Sequence, residues 1–272
     1  LHFKYLRCTT QTPQERISAL FCIVTFKHTM RPLSYNSGIN SNQHTIVHIM
    51  KKIHIIFTGG TIAMQTNDQG MLVPAVTGEE LLKSIPALQL VGEISTQQFS
   101  NQPSAQMTPE IMHSLRKEVI SIFSKNEIEG IVIVHGTDTM EETAFFLDSS
   151  LSEAQLKSNP IIITGAMRSN DQPSADGMAN LLSAAQVAAD TNSKGRGVMV
   201  VMNDEIHSAR HVRKMDTSSL QTFCSPQHTA LGKVSHVASR APIQYNQPAI
   251  RLTKTIDVPR ETLEFPRVDI IS

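Results

Sequence analysis

Four nearly continuous apolar runs punctuate the chain: Ile53–Phe57, Gly130–Val134, Pro160–Thr164 and Gly197–Met202. Runs that are apolar on successive residues predict strands covered on both faces, as in a parallel sheet sandwiched by helices. A stretch of helical period separates each run from the next. Thr108–Phe123 has Thr108 to cap it, Pro109 in its first turn and Glu110 facing the helix dipole. Its apolar residues Ile111, Met112, Leu115, Val119 and Ile122 share one face. Glu141–Leu151 aligns Ala144, Phe145, Leu147 and Leu151 in the same way, and Asp176–Ala189 is an alanine-rich helix after Ser174. The alternation predicts an α/β fold: a doubly wound, mostly parallel sheet flanked by helices and followed by an interdomain linker. Ligands then belong at the carboxyl ends of the strands.

The pattern changes at both ends. Residues 1–49 combine a short apolar stretch, Ile17–Phe26, with a polar Ser/Asn/His tract and no sustained period, and read as an extension outside the fold. The α/β domain then occupies 50–239. Residues 240–266, rich in Pro, Gln, Thr and isolated charges, read as an extended interdomain linker. The final VDIIS, within 267–272, is expected to be the first strand of a truncated carboxyl-terminal domain.

Composition narrows the function. With 272 residues, 40% of them hydrophobic, the chain can bury a core for one large or two ordinary domains. Its 24 Lys+Arg balance 24 Asp+Glu, which argues against a nucleic-acid partner held by bulk charge. No apolar run approaches the roughly 20 residues of a membrane span. Cys8, Cys22 and Cys224 are odd in number and lack metal-ligand spacing, so neither a disulfide framework nor a metal site is expected. A reducing, cytoplasmic compartment suits them.

Chemistry concentrates after the strands. TGGTIA (Thr58–Ala63) follows the first, and its glycines permit a tight turn that presents the Thr61 hydroxyl. The plain alternative is a strand-to-helix connection capped by threonine; without a following Gly-Lys-Ser/Thr it is no phosphate loop. HGTDTMEET (His135–Thr143) follows the second run. A threonine hydroxyl is too weak an acid to react unaided, so Thr137 needs a base such as a lysine, which Asp138 can orient unless it clamps a substrate ammonium. Here the plain alternative makes Asp138 and Thr139 helix caps, with Glu141 and Glu142 serving the dipole. Thr164–Leu182 adds a polar, glycine-containing loop. Met202–Thr217 adds Arg210, Arg213 and Lys214, otherwise read as a solvated charged face.

TGGTIA, HGTDTMEETAFFLD, ITGAMRSNDQPSADGMANL and GVMVVMNDEIHSARHVRKMDTSSLQTF, in this order and spacing, resemble the amino-terminal domain of the bacterial L-asparaginase/glutaminase family over about Lys51–Lys233. The resemblance implies an amidohydrolase that converts L-asparagine, with L-glutamine as a second candidate, to the acid and ammonia without a cofactor. Thr61 matches the threonine nucleophile. Thr137, Asp138 and Lys214 match a proton-handling triad. Ser104 matches the residue that holds the substrate α-carboxylate, Asp138 the one that holds its α-amino group, and Ala166 a main-chain neighbour of the scissile amide. Two positions depart from the family: Ala105 stands where a substrate-binding glutamine is common, and the loop Met64–Thr77 has no tyrosine, with Met71 or Leu72 near its usual place. The resemblance also implies a homo-oligomer in which a neighbour's carboxyl-terminal domain completes the site. Two other readings remain at this stage: the glutamine-hydrolysing subunit of a tRNA-dependent amidotransferase, and a non-catalytic remnant.

Overall fold

A computed structural model describes residues 50–66, 69, 72–74, 78–125, 127–236, 242–251 and 255–256. The readings for 1–49 and for 267–272 lie outside the described residues. The chain opens with strand β1 (Lys52–Phe57), the short hairpin of β2 (Met64–Thr66) and β3 (Leu72–Pro74), helix α1 (Gly78–Lys83) and strand β4 (Glu93–Gln98). Helix α2 (Pro109–Ser124), β5 (Gly130–Val134), α3 (Met140–Ser150), α4 (Glu153–Ser158), β6 (Ile161–Thr164), α5 (Gly177–Ala189) and β7 (Val198–Met202) then alternate. The described chain ends with β8 (Glu205–Ser208), the two-residue strands β9 (Arg213–Lys214) and β10 (Phe223–Cys224), β11 (Gly232–Val234) and β12 (Ile243–Tyr245).

Eight of these strands form one sheet in the order β12-β11-β8-β7-β6-β5-β1-β4. From β4 to β7 all pairs are parallel, whereas β8, β11 and β12 extend the sheet through antiparallel pairs. The chain leaves β1 for β4 on one side, then returns past β1 to β5, β6 and β7 on the other. The order therefore reverses between β1 and β5. In open α/β sheets, that reversal opens a crevice at the carboxyl ends.

The four apolar runs are strands because both of their faces are covered. Ile53, Ile55, Val132 and Ile162 pack on one face beneath Leu181, Ala184 and Ala188 of α5 and Leu81 of α1. Ile56, Ile131, Ile133 and Ile163 pack on the other, against Leu115 and Val119 of α2 and Leu147 of α3. The α2 start behaves as its sequence predicts, with the Ile111 N–H donating to Thr108 Oγ1 at 3.4 Å.

Three differences are physical. Strand β4, EISTQQ, is polar because it lies at a sheet edge, so it lacks the pattern of a buried strand. Phe145, expected on the buried face of its helix, turns outward and is exposed. Ile243–Tyr245, inside the segment read as linker, is extended but pairs with β11. Beyond it, Arg251 returns to the domain, its guanidinium paired with Asp148 and Glu153.

Candidate active site

The loops after β1, β4 and β5 meet through glycine. Gly59 and Gly60 have φ of 118° and 94°, a region that L side chains avoid. A Cβ on Gly59 would lie 2.5 Å from the Gln102 carbonyl oxygen, and one on Gly60 only 2.6 Å from the Gly136 nitrogen. One on Gly136 would reach Ser104 Oγ at 2.6 Å. Backbone thus touches backbone where the two threonine turns face each other. Thr58 extends the β1–β5 ladder past its end, since both its N–H and its hydroxyl donate to the Val134 carbonyl at 3.0 Å.

Thr61 opens a single 3-10 turn, Thr61–Ala63, against which α5 packs closely: a Cβ on Gly177 would lie 2.5 Å from Ile62 Cγ1. Across the cleft, Lys214 Nζ donates to Thr137 Oγ1 at 2.9 Å and to Asp138 Oδ1 at 2.7 Å. The lysine side chain is only 15% exposed, while that of Asp138 is 63% exposed. Lys214 rides on the β9–β10 ribbon outside the main sheet. The ribbon is closed at Asp216, whose carboxylate accepts the Ser218 and Ser219 amides at 2.7 and 2.8 Å. The Ser219 amide, followed by that of Ser218, holds this carboxyl below the usual range.

Ser104, nearly buried in its own 3-10 turn, accepts the Asp138 N–H on Oγ at 3.0 Å. Its carbonyl accepts the Thr139 hydroxyl at 2.7 Å. Of the capping alternative, Glu141 and Glu142 do lie in the first turn of α3, but the side-chain caps are not made. Thr139 precedes α3 but makes no side-chain cap bond, and the Asp138 carboxylate turns to Lys214. Beneath this loop His135 is fully buried, with Nδ1 2.7 Å from the Gly136 carbonyl and Nε2 3.0 Å from Thr143 Oγ1. These partners suit a neutral ring that donates from Nδ1 and accepts at Nε2. Burial pushes the imidazole pKa down to about 4.

The loop after β6 is shaped by Asp176. Its carboxylate accepts the Met167 and Arg168 amides and the Asn180 Nδ2 group, all within 3.1 Å. This arrangement aims Met167 at the cleft and leaves the Ala166 methyl buried.

The result is a cleft of about 480 Å³ whose lining includes Thr61, Ser104, Thr137, Asp138 and Lys214 together. Two sequence-derived residues stand apart: Ala105 is exposed and Ala166 buried, and neither is among the lining residues. Met64, Asn101, Met167 and Thr217 line the cleft without having been singled out. Each lies in or beside a motif loop, which is the signal that could have found them. On the tyrosine-less loop, Met64 borders the cleft, Leu72 lies in β3 opposite Thr66, and Met71 lies outside the described residues. Arg210 and Arg213, grouped with Lys214 by sequence, line a separate cleft with His211 and His228. Among the described residues, no group of three or more His, Cys, Asp or Glu is placed to hold a metal ion, and no helix is long and apolar enough to cross a membrane.

Comparison with known proteins agrees with this architecture. The chain is 35% identical over 227 residues to a probable L-asparaginase 4 of Schizosaccharomyces pombe, covering 82% of this chain and 62% of that protein. It is 36% identical over 228 residues to L-asparaginase 2 of Bacillus subtilis, covering 82% of this chain and 58% of the relative. The chain thus spans about three fifths of the length of these curated relatives. The crystal structure of a probable cytoplasmic L-asparaginase from Campylobacter jejuni superposes with a TM-score of 0.68 at 34% identity, covering 77% of this chain and 62% of that one. Residues 52–250 match the asparaginase N-terminal domain, and on that match the chain belongs to the asparaginase family.

Proposed function

We propose that the protein is an amidohydrolase that converts L-asparagine to L-aspartate and ammonia through a threonine nucleophile. One observation carries the reading: Lys214 Nζ is shared between Thr137 Oγ1 and Asp138 Oδ1 in the cleft that Thr61 also lines. The Thr61 oxygen attacks the side-chain amide carbon, and its proton passes through the Thr137–Lys214 pair to the leaving nitrogen. The C–N bond breaks, ammonia departs and an ester to Thr61 remains. Water adds to that ester through the same pair, releasing aspartate and restoring the hydroxyl. Main-chain N–H groups beside the threonines receive the oxyanion, at about 3–4 kcal/mol per donor in comparable sites. With no tyrosine in the loop Met64–Thr77, proton handling rests on Lys214 and Thr137.

Substrate binding is assigned to Ser104 for the α-carboxylate, to Asp138 for the α-amino group and to the main chain at Ala166 beside the amide. Ala105, exposed and outside the cleft lining, adds no substrate contact, so asparagine is assigned as the first substrate on the family match alone. L-Glutamine stays the second substrate, consistent with the glutaminase-asparaginase of Pseudomonas aeruginosa, 39% identical over 181 residues. The proposal includes no cofactor, a homo-oligomeric assembly in which a neighbour completes the site, and a cytoplasmic location. The name of the Campylobacter jejuni relative supports that location. Aspartate and ammonia release from asparagine tests the reading. Thr61→Ala and Thr137→Ala are each expected to abolish it, and full activity in either variant overturns the assignment.

A further inference from the structure

Lys214 is gripped by its main chain as well as by its side chain. In the β9–β10 ribbon it faces Phe223, and the neighbouring Met215 N–H donates to the Thr222 carbonyl at 2.8 Å. Alternation along an antiparallel pair turns the Lys214 N–H away from β10. Among the described residues, no strand pairs with that outer edge of the two-residue ribbon. The position is taken by Glu141, in the first turn of α3, whose Oε2 accepts the Lys214 N–H at 2.6 Å. Its Oε1 lies 3.7 Å from Arg213, so the carboxylate braces two successive residues of the strand. Residues 137–141 thereby supply both side-chain partners of Lys214 and its outer main-chain partner.

We propose that Glu141 is a positioning residue that holds Lys214 Nζ at Thr137 by standing in for a missing strand on the open edge of β9. The inference rests on the reading of Lys214 as proton carrier. It differs from a helix-dipole role for Glu141, because the dipole needs a charge whereas the register needs only an acceptor. Glutamine at 141 keeps the acceptor and loses the charge.

The test uses the full chain. Glu141→Ala is expected to lower kcat for asparagine by about tenfold to a hundredfold with KM nearly unchanged, the size of loss that small misplacements produce. Glu141→Gln should restore most of that rate. By NMR, the Lys214 amide proton should exchange slowly in the unmutated chain and shift upfield in Glu141→Ala. Fast exchange of that amide, or a Glu141→Gln variant as slow as Glu141→Ala, overturns the proposal. If the unmutated chain releases no ammonia from asparagine, the proposed function falls, while the amide measurements still decide the role of Glu141.

Discussion

Gly60 and Gly136 touch through their backbones: a Cβ on the first would lie 2.6 Å from the nitrogen of the second. This contact joins the two threonine turns across the point where the strand order reverses. Gly60→Ala meets two penalties, a φ of 94° with ψ of 174°, a region kept for glycine that costs another residue about 1–3 kcal/mol, and a clash with backbone that cannot rotate away. Gly195 also has a positive φ, 75°, but open space around it, with its nearest neighbour 3.9 Å off, at Ala249 Cβ. Thermal unfolding should therefore fall roughly 4–8 °C in Gly60→Ala and clearly less in Gly195→Ala. Ammonia release from asparagine, the proposed reaction, should drop only in the first. Equal behaviour of the two variants would remove the contact as an explanation.

His135 makes stability depend on acidity. Its folded pKa, about 4, lies below the ordinary value of 6.5, so between those values the unfolded chain binds the extra proton. Stability is then full above pH 6.5 and declines as the pH falls toward 4. Going from pH 7 to 4.5 should cost about 2–3 kcal/mol from this residue. His54 and His207 are also lowered by burial and act with the same sign. The informative quantity is thus the difference between the unmutated chain and His135→Gln. Urea titrations at the two pH values should show the shallower dependence in the variant, and identical dependence would exclude His135 as the source.

What could be read from sequence follows from burial. β5, β6 and β7 announce themselves because helices cover both faces, leaving no polar position to break the run. β4 carries a wall of the cleft yet is nearly invisible, since an edge strand can be polar. β9 and β10, two residues each, are too short for any period, and the placement of Lys214 depends on the Asp216 turn and Glu141 rather than on local propensity. Asp138 and Thr139 show the same limit. Their types suit a cap, but the Thr139 hydroxyl donates to the Ser104 carbonyl and the Asp138 carboxylate pairs with Lys214. Thr61, Ser104, Thr137, Asp138 and Lys214, which the family resemblance names, line one cleft. The resemblance could not foresee that the Ala105 side chain faces solvent, because a 3-10 turn sets that direction.

The return of the chain at Arg251 should matter for stability. Its guanidinium and the Asp148 carboxylate are both nearly buried, and Asp148 Oδ1 also accepts the Val198 N–H at 2.8 Å. Arg251→Ala strands a buried carboxylate, which typically costs about 3–5 kcal/mol. Combining Arg251→Ala with Asp148→Asn should recover part of the loss, because asparagine still accepts from Val198 without the charge. Chemical denaturation of the unmutated chain and the two variants checks this. A single Arg251→Ala variant as stable as the unmutated chain would mean that the pair contributes nothing.

Thr137 and Lys214, 2.9 Å apart, should behave as one unit. Removing a proton-transfer group usually costs about 10²–10⁴ in rate, and groups that act together lose most of their effect at the first deletion. Thr137→Val and Lys214→Met are therefore each expected to lower kcat for asparagine by that amount, and the double variant should be scarcely slower than the worse single one. Independent action predicts the opposite, a multiplied loss. Thr137→Ser adds a direction: it keeps the hydroxyl that accepts from Lys214 Nζ, so it should retain far more activity than the valine variant. A multiplied loss in the double variant, or serine as poor as valine, would separate the two residues and return Lys214 to a purely structural partnership with Asp138.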